Sequence, residues 1–249
     1  MSLMLPLAVG LALGLLLGLL GGGGGILAVP LLLALGLPYA AATPTSLVVV
    51  FIGAVAGLTT HARSGRVDWA IGAIFGVVGS VGAVLGSRAS TVVDVRWQMA
   101  GFVVLLLLAA WAMLRRKPSP GEDDSRPAAL RWGRVVVLAT GVGLITGFFG
   151  VGGGFIAVPA LVLAVGLPMR RASATALLVI AINTFVAFLA HGVGHLDLRL
   201  TAVVAAATAI GAVVGALSQG RVNAASLQRA FGVLLLLVAA YETAHVITS

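Results

Sequence analysis

Ten long apolar stretches constrain this 249-residue chain more than any other feature. They cover residues 3–20, 26–37, 43–61, 69–87, 97–114, 132–149, 155–167, 172–190, 199–218 and 227–244. A helix rises about 1.5 Å per residue and the hydrocarbon core of a bilayer is about 30 Å thick, so a crossing takes about 20 apolar residues. Most of the stretches meet that length, and only 26–37 and 155–167 are clearly too short. The pattern predicts an all-α integral membrane protein.

Composition excludes several other classes of protein. Hydrophobic residues make up 60% of the chain and charged residues 9%, against about 25% charge in a soluble domain. The net charge of +8 comes from basic residues in short loops between apolar stretches, which indicates membrane topology and not a nucleic-acid partner. The chain has no cysteine and no His, Asp or Glu cluster with metal-ligand spacing. We therefore expect no enzyme activity, no metal and no cofactor, with the lipid bilayer and a small solute as partners.

The second half of the chain repeats the first. Small residues recur 129 positions later, in the pairs Gly14/Gly143, Gly18/Gly147, Gly23/Gly152, Gly24/Gly153, Gly25/Gly154 and Pro30/Pro159. After one extra residue the offset is 130, in the pairs Leu37/Leu167, Thr45/Thr175 and His61/His191. The agreement predicts two transmembrane repeats of about five hydrophobic segments each, at 1–114 and 132–249. The basic, proline-containing and acidic segment 115–131 is typical of a solvated linker.

Loop charges favour one of two arrangements of the repeats. If the first two segments of each half form a hairpin, whether re-entrant or fully crossing, the halves are inverted relative to one another. If these segments make one broken span, the halves are parallel. Because cytoplasmic loops collect Lys and Arg, the split of 12 against 3 basic residues in the inverted arrangement is preferred to 9 against 6 in the parallel one. We predict inverted repeats in a bacterial inner membrane, with periplasmic termini and a cytoplasmic linker.

Two glycine clusters, Gly21 to Gly25 and Gly150 to Gly154, each precede a short segment. Consecutive glycines disfavour a helix, and unwound backbone at membrane depth is buried in protein or lines a wet cavity. A helix that begins after such a turn presents unpaired backbone N–H groups and the positive end of its dipole, which together bind anions. We predict that two such sites converge near the midplane. Their backbone ligands would be Gly23, Gly24, Gly25, Gly152, Gly153 and Gly154; the alternative is a tight turn that binds nothing.

A few polar side chains inside the segments are further candidates for substrate binding. Thr45 and Ser46 open the third segment, Thr175 opens its counterpart, and Asn183 lies in the middle of that counterpart. Hydroxyl groups at a helix start are also common caps and interhelical contacts. His61 and His191 are equivalent in the two repeats and are candidates for gating or proton coupling, although histidines near segment ends are often structural.

The positions of the acidic residues also bear on mechanism. All seven fall in loops or at a terminus, whereas proton- or sodium-coupled carriers usually bury carboxylates along the transport path. An anion that leaves an inside-negative cell needs no coupling ion, because the membrane potential favours its exit. The side chains therefore fit export of an anion better than uphill uptake.

The glycine clusters carry a family resemblance. The segment Gly18-Leu-Leu-Gly21-Gly-Gly-Gly-Gly25-Ile-Leu-Ala-Val-Pro30, and its second copy from Gly147 to Pro159, resemble the TauE/SafE sulfite-exporter family over essentially the whole chain. The resemblance implies export of sulfite, organosulfonates or other small anions across a bacterial inner membrane. Two departures are Thr43-Pro44 in the first repeat, and Ala176 after Thr175, where the second repeat lacks a serine.

These observations predict a permease that exports a small oxyanion, sulfite or an organosulfonate, by alternating access. A transporter or channel for another small anion is the first alternative, and a membrane-embedded sulfur-handling enzyme is the second. The sequence leaves a monomer and a homodimer equally open.

Overall fold

The computed structural model describes residues 4–116, 132–149, 154–191 and 197–248, and every element in these ranges is helical. The elements in chain order are α1 (Met4–Leu20), α2 (Gly23–Ala34), α3 (Tyr39–Arg63), α4 (Trp69–Ser90), α5 (Val95–Arg115), α6 (Trp132–Phe149), α7 (Gly154–Pro159) with a π-helical extension (Ala160–Val165), α8 (Met169–His191), α9 (Leu198–Gln219) and α10 (Ala224–Thr248).

Each predicted apolar segment corresponds to one helix. Within the described ranges, seven helices are long and apolar enough to cross a membrane: α3, α4, α5, α6, α8, α9 and α10. Shorter apolar helices are α1, α2 and the combined α7 segment. The prediction of an all-helical membrane protein is confirmed, and the two segments predicted to be short are short, although α1 also falls below the length of the seven longer helices. Most of the predicted linker, residues 117–131, lies outside the described ranges.

The first two helices form a hairpin. Gly21 has a φ of +74°, a left-handed conformation that glycine adopts without strain, and it reverses the chain between α1 and α2. A Cβ atom placed on Gly24 of α2 would come within 2.5 Å of Leu13 O and 2.7 Å of Leu17 Cδ1 on α1. Because α2 lies back against α1 in this way, the two helices do not form one broken span. With 12 residues, α2 is only about 18 Å long.

The second repeat contains one extra residue in its short segment, and the structure shows where it is accommodated. Both short segments end at a glycine with positive φ, Gly36 at +87° and Gly166 at +84°. The stretch from Pro159 to Gly166 is one residue longer than the stretch from Pro30 to Gly36. The segment after Pro159 is π-helical. A π-turn holds one more residue than an α-turn, and proline already lacks the N–H that would continue the α-helical ladder. The change of offset from 129 to 130 therefore lies in this π-helix.

The most extensive helix contacts join the two repeats. The first helix of each repeat packs along the fourth helix of the other, α1 against α9 and α6 against α4. Glycines make this close approach possible, since a Cβ atom on Gly14 or Gly18 would overlap backbone carbonyls of α9, and one on Gly143 or Gly147 would overlap backbone carbonyls of α4. The repeats therefore interlock and are not separate bodies.

Successive contacts along α1, α3 and α9 show that these helices run in one direction. The hydroxyl groups of Thr45 and Thr201 meet near the start of α3 and α9, and Gly57 meets Ala212 farther along both. Gly14 and Gly18 of α1 likewise face successive turns of α9.

The equivalent helices α3 and α8 run in opposite directions. The ring of Phe51 lies 5.7 Å from that of Phe185, whereas Gly57, farther along α3, faces Leu177, which is earlier on α8. Residue numbers therefore rise along α3 as they fall along α8. Near one end of this bundle, a Cβ on Gly220 after α9 would lie 3.2 Å from Nη2 of Arg66 before α4, so these two loops are neighbours.

Candidate functional site

The first glycine turn, residues 21–24, is buried inside the bundle. α2 begins at Gly23 with no side-chain cap, and the first backbone N–H groups of a helix have no partner within the helix. Apolar side chains pack against the Cα atoms of this segment. A Cβ on Gly23 would overlap Leu234 and lie 3.3 Å from Leu20, and one on Gly25 would lie 3.7 Å from Val50.

Polar side chains surround the last turn of α1, immediately before the glycine turn. His61 of α3, Ser173 of α8 and Gln219 of α9 are each 0% exposed. Nε2 of His61 lies 3.0 Å from the carbonyl oxygen of Gly18. Nε2 of Gln219 donates to Leu19 O at 2.9 Å and to Ser173 Oγ at 2.8 Å. Four helices thus contribute to one buried polar cluster, which we call the first-turn cluster: His61, Ser173, Gln219 and the carbonyls of residues 18 and 19.

Gln219 and Ser173 are both absent from the sequence-based candidates. Gln219 lies one residue beyond the apolar stretch 199–218, and the structure places it at the end of α9. The available signal was spacing, because Gly211, Gly215 and Gln219 are four residues apart and therefore share one helical face. That face packs against α1, and a buried amide on it requires hydrogen-bond partners.

The second glycine cluster has different surroundings. Gly152 and Gly153 lie outside the described residues, and Gly154 is the first residue of α7. On the flanks, the ring centroid of Phe102 lies 5.6 Å from that of Phe149 and 5.5 Å from that of Phe155, the second pair edge to face. Phe155 is 1% exposed. Aromatic packing therefore flanks the second hairpin where buried polar groups flank the first.

The first glycine turn and the end of α6 lie toward opposite ends of α4. At its start, the backbone N–H of Asp68 donates to Thr175 near the start of α8, which also supplies Ser173 to the first-turn cluster. At its other end, a Cβ on Gly86 would lie 2.8 Å from the backbone nitrogen of Phe148 at the end of α6. α4 has 22 residues and is about 33 Å long. The end of α6 therefore lies far from the first turn along α4, although the two short helices α2 and α7 contact each other. Because Gly150 to Gly153 lie outside the described residues, the convergence of the two glycine clusters near the midplane stays a prediction.

Thr45 and Ser46 lie far from the first turn. Thr45 Oγ1 is 3.4 Å from Thr201 Oγ1, and Ser46 Oγ donates to the carbonyl of Thr43 at 2.7 Å. Thr45 precedes His61 by 16 residues on the same helix, or about 24 Å. These hydroxyl groups make contacts at the start of α3 and are not gathered around the glycine turn.

Thr175 and Asn183 lie on the α4–α8 interface. Thr175 Oγ1 accepts from the backbone N–H of Asp68 at 3.0 Å. Asn183 Oδ1 accepts from Ser80 Oγ at 2.9 Å, and both of these residues lie near the middle of their helices. Asn183 therefore occupies a central position, as expected, with a polar partner. His191 ends α8, and its side chain lies outside the described part of the chain.

Carboxylates in the described ranges act mainly as helix caps. Asp68, Asp94 and Asp197 accept from backbone N–H groups at the starts of α4, α5 and α9. No group of three potential metal ligands occurs among the described residues. The side chain of Arg66 approaches Gly220, the residue that follows Gln219 of the first-turn cluster. The charged group that lies next to this end of α9 is therefore positive.

Comparison with known proteins places this geometry in context. The family described as Sulfite exporter TauE/SafE matches residues 6–242. The chain is 34% identical over 249 residues to a "Probable membrane transporter protein" of Xylella fastidiosa (strain Temecula1), covering 96% of this chain and 94% of the relative. It is 25% identical over 222 residues to "Probable membrane transporter protein YunE" of Bacillus subtilis (strain 168), covering 79% and 81%. No solved structure matches the chain significantly.

The family match spans nearly the whole chain, including both glycine hairpins and all the helices that pack around them. The relatives are described as transporters and not as enzymes. With its helices long enough to cross a membrane, the chain is a multi-pass membrane transporter and belongs to the TauE/SafE sulfite exporter family.

Proposed function

We propose that this transporter exports a small oxyanion, sulfite or an organosulfonate, from the cytoplasm. The observation that carries the proposal is the buried start of α2 next to the first-turn cluster, where the first backbone N–H groups have no side-chain cap and no partner in their own helix. A helix N-terminus in a site with little water is a strong anion ligand because its partial charges are not screened. The family's description as sulfite exporters supports this choice of substrate.

The directions of the helices support an inverted relation between the repeats. α3 and α8 are equivalent in sequence and run oppositely, and the loops before α4 and after α9 lie together. We propose that the basic loops, including those of Arg66 and Arg221, face the cytoplasm of a bacterial inner membrane, with both termini outside. In this orientation the first glycine turn lies toward the cytoplasm, where an exported anion enters.

The interlocked packing favours one form of alternating access. Because α1 is fitted closely to α9, and α6 to α4, sliding the repeats as whole bodies would separate both glycine interfaces. We propose instead that the α1–α9 and α4–α6 pairs move as two units, which exposes the two hairpins in turn. His61, in contact with the α1 backbone, and its equivalent His191 remain candidates for gating or proton coupling of this movement.

Transport can be measured with purified protein in liposomes loaded with radiolabelled sulfite, methanesulfonate, sulfate or acetate. We expect saturable efflux of sulfite or an organosulfonate that exceeds the leak of protein-free vesicles and accelerates when the exit side is made electrically positive. The same protein with Gly21→Val, which cannot adopt the positive φ without strain, is the inactive control. Flux of acetate or sulfate without flux of any sulfite or sulfonate would contradict the substrate assignment.

The proposed orientation can be tested by thiol labelling, because the chain has no native cysteine. The exposed loop residues Ser64, Thr91 and Asn223 are replaced singly by cysteine in cells and treated with a membrane-impermeant maleimide. We expect Thr91→Cys to react from outside, and Ser64→Cys and Asn223→Cys to react only after the membrane is opened. Labelling of Asn223→Cys together with Thr91→Cys would contradict the inverted arrangement.

A further inference from the structure

Two buried atoms in the first-turn cluster have no hydrogen-bond partner. They are Nδ1 of His61 and Oε1 of Gln219, on side chains that are both 0% exposed. Buried polar atoms are nearly always hydrogen-bonded, and leaving one without a partner costs about 1–3 kcal/mol. Both residues belong to the first-turn cluster, and we take an unpaired atom on each of them as a sign of a group bound at this cluster.

The hydrogen bonds of the cluster identify Oε1 of Gln219 as an acceptor, and Nδ1 of His61 as an acceptor when its ring is neutral. A carbonyl oxygen can only accept, so the contact of His61 Nε2 with Gly18 O places a proton on Nε2, and in the neutral ring Nδ1 then carries none. The bond from Gln219 to Leu19 O fixes its amide in the same way. Its second N–H donates to Ser173 Oγ, so both donors are in use and only Oε1 is left.

The two side chains are anchored next to the glycine turn that leads into α2. Their two anchors, the carbonyls of Gly18 and Leu19, are consecutive in the last turn of α1, and the chain reaches the first N–H groups of α2 four residues later. Gly21, in the turn itself, packs directly against the backbone of Ser173, the residue that accepts from Gln219. The N–H groups that begin α2 and the side chains of His61 and Gln219 therefore belong to the same turn of the chain.

We propose that this site selects an oxyanion that carries an O–H group, such as hydrogen sulfite, over an anion of the same shape without one. The charged oxygens accept from the N–H groups that begin α2, and the hydroxyl donates to Gln219 Oε1 or His61 Nδ1. A sulfonate whose sulfur bears a methyl group leaves both acceptors without a donor. This inference rests on the proposed anion transport and specifies its substrate class.

The test compares hydrogen sulfite with methanesulfonate, in which a methyl group replaces the hydroxyl. Binding of each to the purified full-length protein is measured by titration calorimetry below neutral pH, where sulfite carries its proton. We expect hydrogen sulfite to bind at least about tenfold more tightly, because methanesulfonate leaves buried acceptors unsatisfied. Equal affinities, or no binding of either anion, would overturn the inference.

Variants separate recognition from a structural role. Gln219→Met keeps the size of the side chain but removes the acceptor, and we expect it to abolish the preference by weakening hydrogen sulfite alone. His61→Phe is the second variant, should the first not fold. Gln228→Met is the matched control: Gln228 is also buried and donates to main-chain carbonyls, of Met113 and Arg116, but it joins α10 to the end of α5. We expect Gln228→Met to leave the ratio of affinities unchanged.

Two other results would count against the inference. A parallel loss of affinity for both anions in Gln219→Met would show that Gln219 only supports the fold. A requirement for sodium that disappears in the same variant would show that the two acceptors bind a cation. Failure of the proposed function is distinguishable, because it appears as the absence of sulfite and sulfonate flux in liposomes whatever the affinities are.

Discussion

The two glycine clusters share their sequence pattern and the kinds of helix on either side, but the side chains around them differ. Both follow a helix whose glycines pack against the other repeat, and both lead into a short helix that contains a proline. Around the first are the buried groups of His61, Ser173 and Gln219. On the flanks of the second are the rings of Phe102, Phe149 and Phe155, which pack in tilted and edge-to-face contacts.

This difference distinguishes the residues that shape the backbone from the residues that could bind a ligand. The residues that set the path of the backbone are duplicated, whereas those that determine what each hairpin can bind are not. Gln219 corresponds to Ser90, and Phe155 to Ile26. Duplication therefore supplied two similar turns, and we interpret the polar one as the anion site and the aromatic flank as a closed counterpart.

The largest effect is expected from adding a methyl group to the glycines at which the two repeats pack closely. Gly18→Ala and Gly147→Ala each place a methyl group against a backbone carbonyl, of Ala212 and Ala83. Backbone cannot give way as a flexible side chain can, so we expect both variants to lose several kcal/mol of stability, more than the ~1–3 kcal/mol typical of overpacked side chains. Recovery of folded protein in detergent and its melting temperature measure the loss.

Gly141→Ala is the matched control on α6, because nothing lies within 4 Å of the added methyl group. Alanine favours a helix by about 1 kcal/mol over glycine, so this variant should be as stable as the parent or more so. If Gly18→Ala were tolerated and Gly147→Ala were not, the two hairpins would differ in scaffold as well as in surroundings.

A smaller loss is expected at the aromatic flank. Phe155→Ala removes a ring that is 1% exposed and should cost about 3–5 kcal/mol through the cavity that it leaves. The ratio of hydrogen sulfite to methanesulfonate affinity should not change, because the ring lies at the other hairpin. Phe185→Ala, at a ring 49% exposed, is the control and should change the melting temperature little. A changed anion preference in Phe155→Ala would show that the second hairpin also contacts the substrate.

The smallest effect is expected at one hydroxyl group of the first hairpin. Ser173→Ala removes the acceptor for one N–H of Gln219 and should reduce sulfite affinity and flux about tenfold, corresponding to one buried unsatisfied donor. The equivalent residue in the other half is Thr43, whose hydroxyl donates to Tyr39 in its own helix. Thr43→Ala should leave flux near that of the parent. Equal losses in the two variants would remove the distinction between the hairpins.

Sequence alone was sufficient for the parts of the fold that depend on local pattern. The length of each apolar stretch predicts each helix, and the doubled glycines predict both short helices, since chain reversal and loss of helix propensity are local properties. The shift of offset after Pro159 even marks the position of the π-helix. The acidic residues at loop ends became helix caps for the same reason.

The site was less predictable because it is assembled from contacts distant in sequence. Gln219 and Leu19 are 200 residues apart, and no local pattern indicates that α9 of the second repeat packs along α1 of the first. The same exchange of partners separates the hairpins along α4 and leaves Thr45 and Thr175 at different interfaces. Equivalence in sequence therefore did not mean proximity in space.

The most direct test of the account is a structure of the transporter with selenite, whose selenium atom can be located by anomalous scattering. The account predicts a selenium peak beside the backbone nitrogens of Gly23 and Gly24, with an oxygen within hydrogen-bond distance of Gln219 Oε1 or His61 Nδ1. A peak beside Phe149 and Phe155, or between α4 and α8 at Asn183, with nothing at the first glycine turn, would contradict it.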